Sequence, residues 1–465
     1  MALDQILAHK REEVAARAAA NPLDGILARV NPSDRSLTTA LARPHTGFIL
    51  EFKTASPSRG VIAAQTTADQ IARAYGPFAD AISVLTDERF FGGSLQRLTE
   101  VRGLVSQPVL CKDFVVDPWQ IAAARAAGAD AILLMLSVLD DSTYRKAAEL
   151  AQRLNMAVLT EVHSEAELSR AVSLDAAIIG INNRDLQTLK IDMTIVPRLA
   201  PKLPDDRLVI AESGYQTHTQ IKSAANLVDG FLVGTSLMSA PSLEVAVREM
   251  IFGITKVCGL TRPSDASIAW ALGATHGGVI FAPESPRYVE LAEAHAIVNA
   301  APMAWVGVFV NAESRAIAFA VKELGLAAVQ LHGEESRAQV MELRNLLGAD
   351  CQIWKAVRVK DRIPTLEETG ADHLVLDTFV AGSRGGTGRR FDWSLLAAHP
   401  ATADSLLSGG LNPKAVMAAE RVGCWGLDVN SGVESAPGCK DPILLSEFFE
   451  ARRGKGRNRE SSHEA

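Results

Sequence analysis

Sixteen short apolar runs, alternating with segments of helical periodicity, constrain the fold of this chain more than any other feature. Eight lie at 48–52, 81–85, 108–112, 131–136, 157–162, 178–182, 208–213 and 230–234, and eight at 255–259, 278–281, 305–310, 328–331, 353–357, 373–377, 405–408 and 426–429. Strands that are nearly all apolar and separated by helices belong to a parallel sheet covered by helices, not to an antiparallel sheet with one wet face. Eight such units in roughly 200 residues predict a closed (β/α)8 barrel. The chain therefore reads as α/β, two tandem (β/α)8 barrels. An open doubly wound sheet is the alternative, but a dinucleotide-binding sheet carries G-x-G-x-x-G after an early strand, and neither half has it there. At 465 residues the chain also exceeds the roughly 250–300 at which a single core stops growing.

The seam between the two series falls within 230–262, where a strand runs into Gly234-Thr235-Ser236, an amphipathic helix follows, and a second short strand delivers Cys258. The expected domains are 1–253, with a helical N-terminal extension over 1–46, and 254–451. The segment 452–465 reads as a disordered tail, because it offers no apolar residue to pack before its final Ala. A formal charge of -7 provides no basic surface, so no nucleic-acid partner is expected. No stretch approaches the roughly 18 uninterrupted apolar residues of a membrane span, and the N-terminus, charged every few positions, lacks the apolar core of a signal peptide. The expectation is a cytoplasmic protein with no membrane partner. Five scattered cysteines have no paired spacing that would suggest zinc or a disulfide framework.

A barrel concentrates its chemistry at the C-terminal ends of its strands. In the first half these ends supply Glu51 and Lys53, Asp87, Lys112 and Asp113, Glu161, Asn182 and Arg184, Glu212 and Ser213, then Gly234 and Thr235. Charged side chains that close otherwise apolar strands, as in FILEFK, VLCKD and VLTEV, must face the mouth or be buried at a cost of several kcal/mol unless paired. Lysines beside carboxylates in a partly desolvated site have shifted proton affinities, which points to acid–base work. The Gly234-Thr235-Ser236 turn, with Ser213-Gly214 after the preceding strand, has the form of a phosphate site, in which glycines let backbone N–H groups approach an anion.

The ordered series Glu51-x-Lys53, Ser56-Pro57-Ser58, SVLTDERFFGGS, LCKDF, LLMLSVL, LTEVH, GINNRDL, AESG and FLVGTSLM resembles the indole-3-glycerol-phosphate synthase family over almost all of 1–253. The resemblance implies ring closure of a phosphorylated carboxyphenylamino-deoxyribulose with loss of carbon dioxide and water. It makes Lys112 the general acid on the substrate carbonyl and gives Glu161 a proton in decarboxylation or dehydration. Glu51 and Lys53 share the remaining acid–base and electrostatic work, a division that the sequence leaves open. Asn182, Glu212 and Ser213 would contact the substrate, and Arg184 would lie near its anionic groups. Lys53, Ser56, Gly214, Gly234 and Thr235 would hold phosphate.

In the second half the strand ends supply Cys258, Phe281 and Arg287, Asn311, His332, Lys355 and Arg358, Asp377, Gly409 and Gly410, then Asp428 and Ser431. Cys111 and Cys351 read as small buried hydrophobes, whereas Cys258 sits at a mouth beside Gly259 and Arg262, where a thiolate is stabilised. A thiol base facing the Asp377 carboxyl suits an aldose-to-ketose isomerisation, with a proton taken from carbon and another given to a ring oxygen. The turns at 407–411 and 428–432 make a second phosphate cradle.

With KVCGLTR, SPRYV, VGVFVN, VQLHG, LVLDT, GGTGRRFDW, LSGGL and GLDVNSGVES, this half resembles the phosphoribosylanthranilate isomerase family over 254–450. The resemblance implies Cys258 as general base, Asp377 as general acid and Arg287 as a substrate-binding arginine. Gly409, Gly410 and Ser431 would serve phosphate and Asp428 the substrate. The loop 378–388 looks longer than in many relatives.

The two implied reactions are consecutive, in reverse order along the chain. The expected partners are small phosphorylated anthranilate-sugar substrates, with no metal and no cofactor, and the chain is expected to be a monomer. His163, His276 and His332 read as structural or loop histidines. Three other readings stay open: phosphosugar barrels of different specificity, a scaffold with one inactive barrel, and a chain with one working half. The presence of both acid–base sets weighs against the scaffold.

Overall fold

The computed structural model describes residues 2–56, 60–359, 363–378, 393–396 and 399–457. All sixteen runs form strands, and they close into two parallel eight-stranded barrels, as the sequence predicts. The first comprises β1 (Gly47–Phe52), β2 (Ala81–Leu85), β3 (Val109–Lys112), β4 (Ala131–Met135), β5 (Ala157–Val162), β6 (Ile178–Asn182), β7 (Leu208–Glu212) and β8 (Gly230–Val233). Pairing of Gly47 with Gly230 brings β8 back against β1. The second comprises β9 (Ile254–Val257), β10 (His276–Ile280), β11 (Ala304–Phe309), β12 (Ala328–Leu331), β13 (Gln352–Val359), β14 (His373–Thr378), β15 (Ser405–Leu407) and β16 (Gly426–Val429). Here β16 closes onto β9, with Lys256 opposite Asp428.

Helices between strands form where a capping residue precedes a stripe of apolar positions. Ser164 accepts from the Glu167 N–H at the start of Glu165–Ser173. Asp140 caps Asp141–Arg153, whose Tyr144, Ala147, Leu150 and Ala151 turn to the barrel. Residue contacts divide the chain into one unit that runs to Val247 and takes back the segment from Gly454, and a second unit, Arg248–Arg453.

The N-terminal extension contains helices Ala2–Ala20, Leu23–Leu27 and Leu37–Leu41. Leu3, Ile6 and Leu7, spaced three and four apart on one face, join Leu37, Leu41 and strand residues in a single buried cluster. Lys10 is 2% exposed, with its Nζ 2.8 Å from Asp87, 3.0 Å from Asp113 and 2.9 Å from Glu13. A buried ammonium therefore anchors this helix to the strand ends of the barrel.

The expected disorder from 452 does not begin there. Arg452 and Arg453 finish the helix Pro442–Arg453, and the chain then returns to the first unit. Thr46 N–H donates to Gly454 O at 3.0 Å, Lys455 bridges to His45, and Arg457 N–H donates to Val228 O at 2.9 Å. Backbone groups at the entries to β1 and β8 supply the partners that apolar side chains do not. Residues from 458 lie outside those described. Among the described residues, no helix is long and apolar enough to cross a membrane.

Strand periodicity places the functional groups. Ile49, Leu110, Leu159 and Ile210 belong to the inner apolar cluster of the first barrel. Residues two positions further along a strand face the same side, and those residues are Glu51, Lys112, Glu161 and Glu212. The charged ring is thus the next layer up, at the C-terminal end.

Candidate active sites

In the first unit, one cavity of about 220 Å³ is lined by Glu51, Lys53, Ser56, Lys112, Glu161, Asn182, Arg184, Ser213, Gly214, Gly234 and Thr235. Glu212 is fully buried and reaches this group through Lys112, whose Nζ lies 2.9 Å from its Oε2. The structure therefore brings together the residues singled out in this half except Asp87, which is buried against Lys10 instead. Lys112 also approaches Glu51 at 3.3 Å, and Lys53 meets the other Glu51 oxygen at 2.8 Å.

These pairings move the carboxylates in opposite directions. Burial would raise the Glu51 pKa, but Lys53 and Lys112 override it and bring it down to about 2. Glu212 is buried too and shares Lys112 with Glu51, while Glu161 and Glu51 repel it, so its carboxyl rises above the ordinary range. Burial disfavours the Lys112 ammonium, yet Glu212, Glu51 and Glu161 together raise its pKa. At neutral pH, the lysine is a cation among an ionised carboxylate and one that holds its proton more readily.

Turn geometry supports this ring. Asn182 Oδ1 accepts from the Arg184 N–H at 2.9 Å, and Arg184 Nη1 donates to Leu189 O at 2.8 Å, which shapes the loop after β6. Ser213 and Gly214 are left-handed, at φ +63 and +93. A Cβ on Gly234 would collide with the Glu51 carboxylate. Glycine at this position is thus favoured by a side chain of the charged ring, a constraint the phosphate reading did not contain.

Sequence reasoning missed two features of this mouth. Leu3 and Ile6 of the first helix line the cavity, and their helical stripe was the available signal. His163 stands between Glu161 and Glu167, with Nε2 and Nδ1 each 3.4 Å from a carboxylate oxygen. Burial works against its protonated form, but Glu167 and Glu161 raise its pKa above the ordinary value.

In the second unit, Cys258 follows β9, is 5% exposed and donates its N–H to Val429 O at 2.9 Å. Beneath it on the same strand Lys256 is fully buried, with Nζ 3.1 and 3.2 Å from the Asp428 oxygens and 2.7 Å from Gln330 Oε1. Arg287 is buried against Glu434, with contacts of 2.6 to 3.1 Å through Nε and Nη2. Lys440 joins the same carboxylate at 2.8 Å. Gly259, at φ +70, leaves room for Arg287 and Asn430, which would lie 2.6 and 2.8 Å from a Cβ.

Asp377, near the end of β14, is buried with His332 Nε2 3.8 Å away. Burial and the nearby Lys256, Arg358 and Lys355 charges depress His332 to about 4, so its ring is neutral near pH 7. This histidine, read from sequence as structural, stands beside the expected general acid. Gly409 and Gly410 are both left-handed, at φ +78 and +71, and a Cβ on Gly432 would collide with Leu411 O, so the 408–411 turn packs against the turn that holds Ser431. The loop 378–388 lies outside the described residues beyond Thr378. Lys256, Gln330, Glu434 and Lys440 went unnoticed in the sequence, where nothing marks their partners.

Two (β/α)8 barrels, each with ionisable groups gathered at its strand C-termini, define a chain of two acid–base enzymes. The indole-3-glycerol phosphate synthase family profile matches residues 3–250, and that of N-(5'-phosphoribosyl)anthranilate isomerase matches 255–451. The Tryptophan biosynthesis protein TrpCF of Yersinia pestis is 49% identical over 451 residues, covering 97% of this chain and 94% of that protein. The proteins of the same name from Vibrio cholerae and Salmonella typhi are 48% and 46% identical, with 97% of this chain covered in each case and 96% and 99% of theirs. The chain belongs to the bifunctional indole-3-glycerol-phosphate synthase/phosphoribosylanthranilate isomerase family of tryptophan biosynthesis. It is a decarboxylating lyase in its first barrel and an isomerase in its second.

Proposed function

We propose that in the isomerase barrel, 254–451, Asp377 gives a proton to the ribosyl ring oxygen of phosphoribosylanthranilate as the C1–O bond opens. Cys258 then takes the proton from C2, and the resulting enolamine ketonises to the carboxyphenylamino-deoxyribulose phosphate. Gly409, Gly410 and Ser431 receive the phosphate on backbone N–H groups, and Arg287 and Asp428 contact the rest of the substrate.

In the synthase barrel, 1–253, Lys112 donates to the substrate carbonyl as the new carbon–carbon bond forms, and carbon dioxide and water then leave. Glu161 handles the proton of a later step, while Glu51 and Lys53 hold the charge balance around Lys112. Asn182, Glu212 and Ser213 position the substrate. Lys53, Ser56, Gly214, Gly234 and Thr235 take its phosphate, and Arg184 faces its other anionic group. The observation that carries this reading is the Lys112 ammonium held at 2.9 and 3.3 Å between Glu212 and Glu51 in the mouth of the barrel.

The substrates on this reading are small and phosphorylated, and the chain is taken to act on them as a monomer. Five free thiols support a reducing, cytoplasmic setting. Separate assays of the half-reactions test the assignment: Lys112→Ala is expected to abolish only the synthase, and Cys258→Ala only the isomerase. Loss of both activities in a folded variant overturns it.

A further inference from the structure

Lys256 is a fully buried lysine in the middle of a barrel strand, with no role in the chemistry described so far. Burying an ammonium costs several kcal/mol unless partners replace water, and Asp428 and Gln330 are those partners. Lys256 and Cys258 are two residues apart, so they face the same interior side. Gly278 on β10 measures their proximity. A Cβ built there would lie 2.9 Å from both Cys258 Sγ and Lys256 Cε, so these two atoms are at most about 6 Å apart.

Charge balance around the thiol points the same way. Lys256 faces it from β9, Asp428 from β16, Lys440 from the hairpin Glu434–Ala436/Cys439–Lys440, and Arg287 from the segment after β10. Glu434 binds both Arg287 and Lys440, and Asp428 binds Lys256. Three cations thus share two carboxylates in this cluster, so a proton lost from the thiol would leave a third negative charge among them.

We propose that Lys256 is a positioning residue for the isomerase base: its buried ammonium, fixed by Asp428 and Gln330, stabilises the Cys258 thiolate. The proposal rests on the assignment of Cys258 as general base. Burial pushes the Cys258 thiol above its ordinary pKa, and Lys256 is the largest influence opposing that rise.

The test is the pH dependence of Cys258 alkylation by iodoacetamide in the substrate-free full chain, read on its peptide by mass spectrometry. Wild type is compared with Lys256→Gln, and Asp428→Asn with Lys256→Gln/Asp428→Asn, so that the lysine is removed both with and without the carboxylate, whose own charge acts on the thiol in the opposite direction. The midpoint is expected to rise by about one pH unit or more, a tenfold slower reaction below it, with alkylation of Cys424 unchanged. A Cys258 midpoint that stays put in a folded variant overturns the proposal, even where isomerase kcat falls, since Lys256 then serves packing or substrate contact only. Isomerase activity retained in Cys258→Ser would instead sink the assignment of the base and leave the thiol titration intact, so the two failures are distinguishable.

Discussion

Glu51→Gln offers a quantitative test of the synthase ring. In the folded chain the Glu51 pKa falls from 4.5 to about 2 because Lys53 and Lys112 hold its anion. A group whose folded pKa is depressed contributes stability that is present above its unfolded pKa and lost as pH falls through the folded value. The window therefore runs from 4.5 down to about 2, and the contribution at pH 7 is about 3 kcal/mol. The assay is urea unfolding with pulsed hydrogen exchange, read on peptides from β1 and β3 so that the first barrel is followed by itself. Wild type is expected to exceed Glu51→Gln in stability at pH 7. That advantage should shrink by about 1 kcal/mol between pH 4.5 and 3.5 as the wild-type anion is protonated preferentially in the unfolded chain. An advantage that is constant or growing between pH 4.5 and 3.5 would refute the claim that the two lysines hold Glu51 ionised.

Two further substitutions probe the support of this ring. Gly234→Ala places a methyl group against the Glu51 carboxylate, and a displacement of about 1 Å in a catalytic group costs on the order of 100-fold in rate. Synthase kcat should fall by that order while isomerase kcat is unchanged, as measured with each half-substrate separately. Lys10→Met leaves Asp87 and Asp113 without the ammonium they share, a loss of roughly 3–5 kcal/mol for a broken buried pair. Faster hydrogen exchange over Ala2–Ala20 and a raised synthase KM are the expected readouts, because Leu3 and Ile6 of that helix line the cavity.

What the sequence made legible was everything local to a strand. Sixteen apolar runs identified the strands, and alternation identified the residues that close them at the mouth, because Glu51, Lys112, Glu161 and Glu212 each follow an apolar residue by two positions. Partnership was not legible. Arg287 is paired with Glu434, 147 residues away, and Lys10 with Asp87 and Asp113, and only barrel closure and helix docking bring these together. Lys256 in ITKV shares a face with Cys258 by alternation, but its partners Asp428 and Gln330 stand on β16 and β12 and meet it only when the barrel closes. The order of 454–457 was not legible for a related reason: that segment is held by backbone hydrogen bonds and by the Arg457 pair with Asp205, and not by apolar side chains.

The two barrels gather ionisable groups at the same end of the fold, but from different strands and in different layers. In the first, the layer beneath the ring is apolar at Ile49, Leu110, Leu159 and Ile210, so Glu51, Lys112 and Glu212 have mainly one another, and Lys53, as charge partners. They titrate as a set, and removing any one charge changes the proton affinity of the others. In the second, that lower layer is itself polar, with Lys256 bound to Asp428 and Gln330, and the layer above carries Cys258. The cation proposed to tune the base therefore lies one layer below the thiol, on a carboxylate that is also assigned a substrate contact. A buried thiolate needs a nearby cation to offset the loss of water around it. A lysine one layer down, held ionised by its own carboxylate, meets that requirement.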